Sequence, residues 1–263
     1  MAKKVLITGA GTGLGLGTAI GLAKNGHEVI AAVHIWPQAT SVHEAAAKAG
    51  VELDVIKLDV TDPADREYAL KYDIDILVNN AGTGATGPVA EIPVRYMREV
   101  METNVWGPLE LTQQFAARFA RRGSGKIVFV SSVAGLATLP FLAPYNASKF
   151  ALEAVAQCMQ HELEGYGVRV CTINPGPYRT GFNDRLYDQV DQWYDPQKHF
   201  TKEAPIRDQQ AWLANNQIHP QEMIDAMVEV IPSDEEHVFR TMVPKNFVGF
   251  CEEYQARMWT TKV

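Results

Sequence analysis

Val5-Leu6-Ile7-Thr8-Gly9-Ala10-Gly11-Thr12-Gly13-Leu14-Gly15 is the stretch that decides the fold of this chain. A short apolar run bounded by glycine reads as a buried strand. Residues 14–26 read as a helix, with Leu16, Ala19, Ile20 and Ala23 on a repeating apolar face. In such a strand–turn–helix, Gly9, Gly13 and Gly15 let a phosphate approach backbone N–H groups and the positive end of the helix. Thr12 and Leu14 sit between those glycines and belong to the same candidate cradle. The spacing is a variant of the dinucleotide-binding turn. No Gly-Lys-Ser/Thr follows, so a Walker loop is excluded.

Outward from this turn the pattern repeats. Strands are expected at residues 5–8, 28–33, 53–58, 75–78, 126–130, 169–173 and 239–243. Helices are expected at 39–49, 63–72 and 145–163, with a long helical region over 93–120 broken near Gly107-Pro108. Strand and helix in alternation predict an α/β fold: a central parallel sheet of about seven strands, doubly wound, with helices on both faces. No linker, repeat or low-complexity segment interrupts it, so residues 1–263 are expected to form one domain. The candidate functional residues fall just beyond strand carboxyl ends, where open α/β sheets place their ligands.

Composition narrows the function. Of 263 residues, 46% are hydrophobic and 21% charged, ordinary values for a globular protein, and the formal net charge is −7. The densest basic cluster is Arg118, Arg121, Arg122 and Lys126, too sparse to grip a phosphate backbone, so no nucleic-acid partner is expected. No apolar run approaches the roughly 20 residues that cross a bilayer. The opening Lys3-Lys4-Val5-Leu6-Ile7 stops at the glycine turn, so export is not expected and the location is expected to be cytoplasmic. Cys158, Cys171 and Cys251 are scattered without metal-ligand spacing; buried thiols and no metal are expected.

The second expected strand ends Val33-His34-Ile35-Trp36. An acid there normally meets the adenosine ribose of NAD. None is present, nor is an Arg or Lys that would hold a 2′-phosphate, and His34 is the one candidate hydrogen-bonding group. The cofactor is expected to be NAD or NADP, with NADP slightly favoured. Asp59, before Val60, either accepts a bond from adenine or caps its own turn. Asn79, Asn80, Ala81 and Gly82 lie beside the expected cofactor track, with stabilisation of the central strands the alternative for Asn79.

Tyr145 and Lys149 stand four apart on one helix face. An ammonium beside a phenol favours phenolate. The ordinary phenol pKa is about 10, and bringing it near 7 takes roughly 4 kcal/mol. Oxidation of a secondary alcohol needs a group to take the carbinol proton while a nicotinamide takes the hydride. Tyr145 is assigned that proton, Lys149 the tuning of Tyr145 and the nicotinamide ribose, and Ser132 the substrate oxygen. Asn104 is assigned a water that relays protons to Lys149. Ser131 is expected to face away from Ser132.

These motifs, together with Asn174-Pro175-Gly176 and Thr180, resemble the short-chain dehydrogenase/reductase family over residues 4–180. The resemblance implies a Rossmann-like sandwich. It implies a catalytic tetrad of Asn104, Ser132, Tyr145 and Lys149. It implies a nicotinamide-facing segment at Pro175, Gly176 and Thr180, and a homodimer or homotetramer. Phe115, Phe119 and Met159 are candidate subunit contacts or core residues. The expected activity is an NAD(P)-dependent alcohol dehydrogenase or carbonyl reductase acting on a small molecule. The competing expectation is a non-catalytic dinucleotide-binding regulator. Residues 181–216, rich in aromatics such as Phe182, Trp193 and Trp212, read either as a substrate lid or as a satellite core. Met223, Met227 and Val230 read as a packing stripe on a helix that starts at Pro220.

Overall fold

A computed structural model describes residues 1–262. Its strands are β1 (Lys4–Ile7), β2 (Glu28–Val33), β3 (Asp54–Lys57), β4 (Ile76–Asn79), β5 (Gly125–Val130), β6 (Val168–Pro175) and β7 (Arg240–Val243). The helices are α1 (Gly13–Lys24), α2 (Trp36–Ala49), α3 (Pro63–Ala69), α4 (Val94–Met101), α5 (Gly107–Arg122), α6 (Ala143–Leu163), α7 (Phe182–Arg185), α8 (Val190–Trp193), α9 (Glu203–Asn215), α10 (Gln221–Val230) and α11 (Asn246–Met258). All seven strands are parallel, in the order β3-β2-β1-β4-β5-β6-β7. The strand order reverses between β1 and β4. The crossovers on either side therefore leave a crevice at the carboxyl ends of those strands.

Alternation along the strands sorts the core into two layers. Val5, Ile7, Val128 and Val130 pack with Leu22 of α1 and Met227 of α10 on one face. Leu6, Ile127 and Phe129 pack with Leu111, Phe115 and Phe119 of α5 on the other. Phe115 and Phe119 are 0% and 1% exposed, which removes them as subunit contacts. Met159 is partly buried against the same layer. Met223 and Met227 pack in the first layer as expected, whereas Val230 is half-buried and outside it, with Ala226 and Val228 against that layer. Cys171 and Cys251 are buried, but Cys158 is exposed because its position on α6 faces away from the sheet.

The long helical region is not broken at Gly107-Pro108. One turn of π-helix, Glu102–Trp106, joins α4 to α5 without a gap. Proline fits there because its missing N–H falls in the first turn of α5. Residues 181–216 form α7, α8 and α9, which build a small core of their own from Leu142, Leu186, Tyr187, Val190, Ile206 and Leu213. The Glu91 carboxylate ties this segment down, accepting from Phe200 N at 2.7 Å and Thr201 N at 3.1 Å.

One buried cation sits at the amino end of the sheet, away from the crevice. Lys126, 1% exposed, donates to Val230 O at 2.7 Å and Ser233 O at 3.3 Å and pairs with His237 Nε2 at 2.8 Å. His237 Nδ1 lies 2.9 Å from Val238 O. A lysine has only donors, so His237 accepts through Nε2 and carries its proton on Nδ1. Burial, and then Lys126 beside it, hold His237 below the ordinary histidine value. The unfolded chain therefore takes up the proton first as pH falls. The stability this histidine contributes is present above about pH 6.5 and is lost as pH drops through its lower folded value. Urea denaturation between pH 5 and 8 is expected to show a wild-type decline that His237→Gln flattens. The difference should be no more than about 1 kcal/mol, because the ring is partly exposed to solvent screening. Parallel pH profiles for the two proteins would reject this role.

Candidate active site

The glycine turn between β1 and α1 needs glycine at two places. Gly9 and Gly13 have φ of 65° and 57°, the left-handed region. A Cβ on Gly9 would also lie 2.7 Å from Ala81 Cα, and one on Gly13 would lie 3.0 Å from Thr180 Cβ. The end of β4 locks this turn. Thr8 Oγ1 accepts from Asn80 N and Ala81 N, both at 3.0 Å, and Asn80 Nδ2 donates to Thr8 O at 2.9 Å and Gly9 O at 3.1 Å. Asn79 instead donates to Thr112 Oγ1 at 2.8 Å, tying β4 to α5 as its structural reading required. No acid occupies the first turn of α1, and the Thr12 side chain does not cap it. Its N–H groups are thus free to meet an anion, and this donor set fits the pyrophosphate of a dinucleotide.

At the end of β2, His34 Nε2 lies 3.2 Å from Asp59 Oδ2. Asp59 Oδ1 accepts from both the N–H and the hydroxyl of Thr61, at 2.9 and 2.8 Å. Burial would raise the Asp59 carboxyl; the Thr61 donors and His34 outweigh it and hold the group below its ordinary value. Asp59 therefore caps its own turn and engages His34 at once. Gln38, missed in the sequence, accepts from His34 N at 3.0 Å and lies against Gly11. The signal was its i,i+4 spacing from His34 at the strand end. Trp36, which opens α2, is 61% exposed.

Tyr145 and Lys149 lie on α6, with the Lys149 ammonium 5.5 Å from the centre of the Tyr145 ring. Lys149 Nζ donates to Val130 O at 2.8 Å. Burial brings Lys149 down to about 8, with Glu153 acting in the opposite direction. Burial pushes the Tyr145 phenol up to about 12, against the pull of the Ser132 hydroxyl. In the protein alone burial dominates at the phenol, and one Lys149 N–H is given to a backbone carbonyl. Ser132, two residues beyond β5, caps a short 3-10 turn, its Oγ accepting from Ala134 N at 3.1 Å. The neighbouring Ser131 hydroxyl is buried without a partner.

Asn104 occupies the π-helical turn and is 1% exposed. Its Oδ1 accepts from Thr83 N at 2.8 Å, and its Nδ2 donates to Thr83 O at 2.8 Å and Ser148 Oγ at 2.9 Å. Both amide hydrogens are used, and the carboxamide clamps the loop following Gly82. Ser148 passes the contact to α6 by donating to Tyr145 O at 2.8 Å.

These groups face one cavity of about 1040 Å³. Gly9, Thr12, Gly13, Leu14, Gly15, His34, Asp59, Val60, Asn80, Ala81, Gly82, Pro175, Gly176 and Thr180 line it, as do Ser132, Tyr145 and Lys149. Asn104 stands behind that wall. The cavity continues beneath Leu139, Leu142, Phe182, Leu186, Leu213 and Phe250, an apolar lining. Phe182 packs against Tyr145 with ring centres 5.5 Å apart.

A family model for short chain dehydrogenase matches residues 3–191. The chain belongs to the short-chain dehydrogenase family. It is thus an oxidoreductase by descent as well as by site geometry. It is 36% identical over 188 residues to the uncharacterized oxidoreductase YusZ of Bacillus subtilis (strain 168), covering 68% of this chain and 67% of that one. It is 32% identical to human (Homo sapiens) retinol dehydrogenase 8 over 243 residues, 88% of this chain and 78% of the other. The crystal structure of a gluconate 5-dehydrogenase from Burkholderia cenocepacia J2315, in complex with NADP and tartrate, superposes with a TM-score of 0.76 at 26% identity. That match covers 94% of this chain and 95% of the other. Among the described residues no helix is long and apolar enough to cross a membrane, and no cluster of side chains suits a metal ion.

Proposed function

We propose that this short-chain dehydrogenase interconverts a bulky, largely apolar secondary alcohol and its ketone, using NAD or NADP with NADP slightly favoured. One observation carries the reading. The Tyr145 phenol and Ser132 border the same cavity as the anion-ready glycine turn, and beyond them Leu139, Leu142, Phe182, Leu186, Leu213 and Phe250 line it, with Asn183, Arg185, Asp188 and Gln189 among them. A dinucleotide, when bound, supplies hydride transfer at its nicotinamide ring. The residues that would hold it are the glycine turn, Asp59 and Val60, Asn80 to Gly82, Lys149, and Pro175, Gly176 and Thr180. Ser132 orients the substrate oxygen and Tyr145 exchanges a proton with it. The phenol near 12 is protonated at neutral pH, the form that donates to a carbonyl during reduction. The reverse reaction requires added positive charge at the site to favour phenolate. Asn104 serves by holding Thr83 and, through Ser148, the start of α6. Residues 181–216 act as the substrate lid within the one domain.

The apolar part of the lining supports the bulk and polarity of the substrate, and a relative named for retinol, a bulky apolar though primary alcohol, agrees on those two properties. At the β2 end no carboxylate stands at Val33 to repel a 2′-phosphate, and no cation attracts one; Asp59 is engaged by His34. The test is a panel of alcohols and ketones run with both cofactors, with dissociation constants for NADH and NADPH measured by fluorescence titration. Turnover of bulky hydrophobic ketones, and affinities for the two cofactors within about tenfold with NADPH the tighter, are the expected results. Turnover confined to small polar polyols would overturn the substrate class.

A further inference from the structure

Glu153 is a buried carboxylate that the proposed chemistry does not use. It is 3% exposed, one helical turn beyond Lys149 on α6. Isolated charge at that depth is costly, and two partners compensate it. Arg240 Nε, from β7 at the sheet edge, donates to Glu153 Oε2 at 2.9 Å, and Asn174 Nδ2, from β6, donates to Oε1 at 2.6 Å. The same Asn174 amide donates to Ser132 O at 3.2 Å, and Asn174 Oδ1 accepts from Thr172 Oγ1 at 2.9 Å. Asn174 is 0% exposed. The chain of contacts runs from Arg240 through Glu153 and Asn174 to the backbone of Ser132. There is no slack in it: a Cβ on Gly135 would lie 2.8 Å from Ser131 Oγ, 3.0 Å from Lys149 O and 3.1 Å from Glu153 Cγ.

We infer that Glu153 is a positioning residue for the reaction, fixing Ser132 through Asn174 and placing its carboxylate one helical turn from Lys149. The inference rests on the reading of Lys149 and Ser132 given above. A purely structural ion pair would need neither the Asn174 bridge to Ser132 nor the location one turn from Lys149. The charged group that acts on Lys149 is Glu153 on α6, itself paired with Arg240 on β7, and Tyr145 lies one turn before Lys149 on the same helix. Cys251 on α11 is held up as the thiol by burial and Glu153. Burial brings Lys149 down to about 8 even with Glu153 opposing, so loss of the carboxylate moves it further down.

The test is NADPH and NADH affinity of the full chain, followed by fluorescence from pH 6 to 9.5. Wild-type affinity is expected to weaken above about pH 8 as Lys149 loses its proton. Glu153→Gln keeps the shape, and acceptance from Asn174, but removes the charge. It should shift this limb downward by about half a pH unit or more and lower kcat about tenfold, with KM within about twofold. Arg240→Met removes the cation that compensates Glu153 and leaves a buried carboxylate whose charge is uncompensated and readily neutralised. It should therefore lower the thermal midpoint and weaken the field at Lys149, moving the limb downward as well, and it stands as the test if Glu153→Gln does not fold. A limb unmoved by Glu153→Gln, or by Arg240→Met where Glu153→Gln does not fold, overturns the proposal alone. A wild-type profile with no alkaline limb overturns the reading of Lys149 and the proposal with it.

Discussion

Tyr145→Phe is expected to reduce turnover by about 10²–10⁴-fold while leaving cofactor affinity within about twofold. Phenylalanine preserves the ring that packs on Phe182, so the wall between α6 and the lid stays in place. What it removes is the one hydroxyl on that wall with the chemistry to exchange a proton with a bound carbinol or carbonyl. The phenol is pushed up to about 12 by burial, so the wild-type acid form persists across the neutral range. Carbonyl reduction by the wild type should therefore show no loss from tyrosine ionisation below about pH 9. Rate measurements of ketone reduction, paired with fluorescence titration of NADPH, check both parts. Retained turnover in Tyr145→Phe would remove Tyr145 from the proton transfer.

Lys149→Met is expected to lower turnover by a similar factor, about 10²–10⁴-fold, and in addition to weaken cofactor binding at least about tenfold. Stability should behave differently. The Lys149 ammonium is 4% exposed as a residue, bonded to Val130 O, and drawn down to about 8 by burial. Methionine loses that hydrogen bond but also relieves a desolvated charge, and the two effects offset. The unliganded variant should keep its unfolding free energy to within about 1 kcal/mol of the wild type. Urea denaturation checks this against the kinetic loss. A large drop in stability together with the lost activity would mean that Lys149 serves the fold first.

The two variants probe different links. Tyr145 is tested on chemistry, and Lys149 on chemistry, cofactor retention and the cost of burying a charge. Their separation matters because the structure puts the ammonium on a backbone carbonyl and 5.5 Å from the ring centre, so its effect on Tyr145 has to be realised in the loaded protein.

Much of the fold was legible in the chain. Val5-Leu6-Ile7 and Ile127-Val128-Phe129-Val130 are continuous apolar runs because their strands are buried on both faces. Helix boundaries shifted by a residue or more, as at α2, which begins at Trp36 with Pro37 in its first turn. The supposed break near Gly107 was misread because glycine and proline together look like a stop. A π-turn followed by the permissive first turn of α5 accommodates both. Each proposed cofactor residue lines the cavity. Gln38, Thr83 and Glu153 were not found, since each acts through a partner on another element or on the backbone.

By itself, then, the sequence determined the order of strands and helices, the glycine turn, and the pairing of Tyr145 with Lys149 on one face. Those depend on residue spacing and local backbone preference. Only the tertiary structure decided where the ammonium points, that Asn104 clamps Thr83, that His34 meets Asp59, and that Glu153 reaches Ser132 through Asn174. Directions of polar side chains inside a core are set by which distant donors and acceptors the fold brings within about 3 Å of one another, and by the water that burial removes.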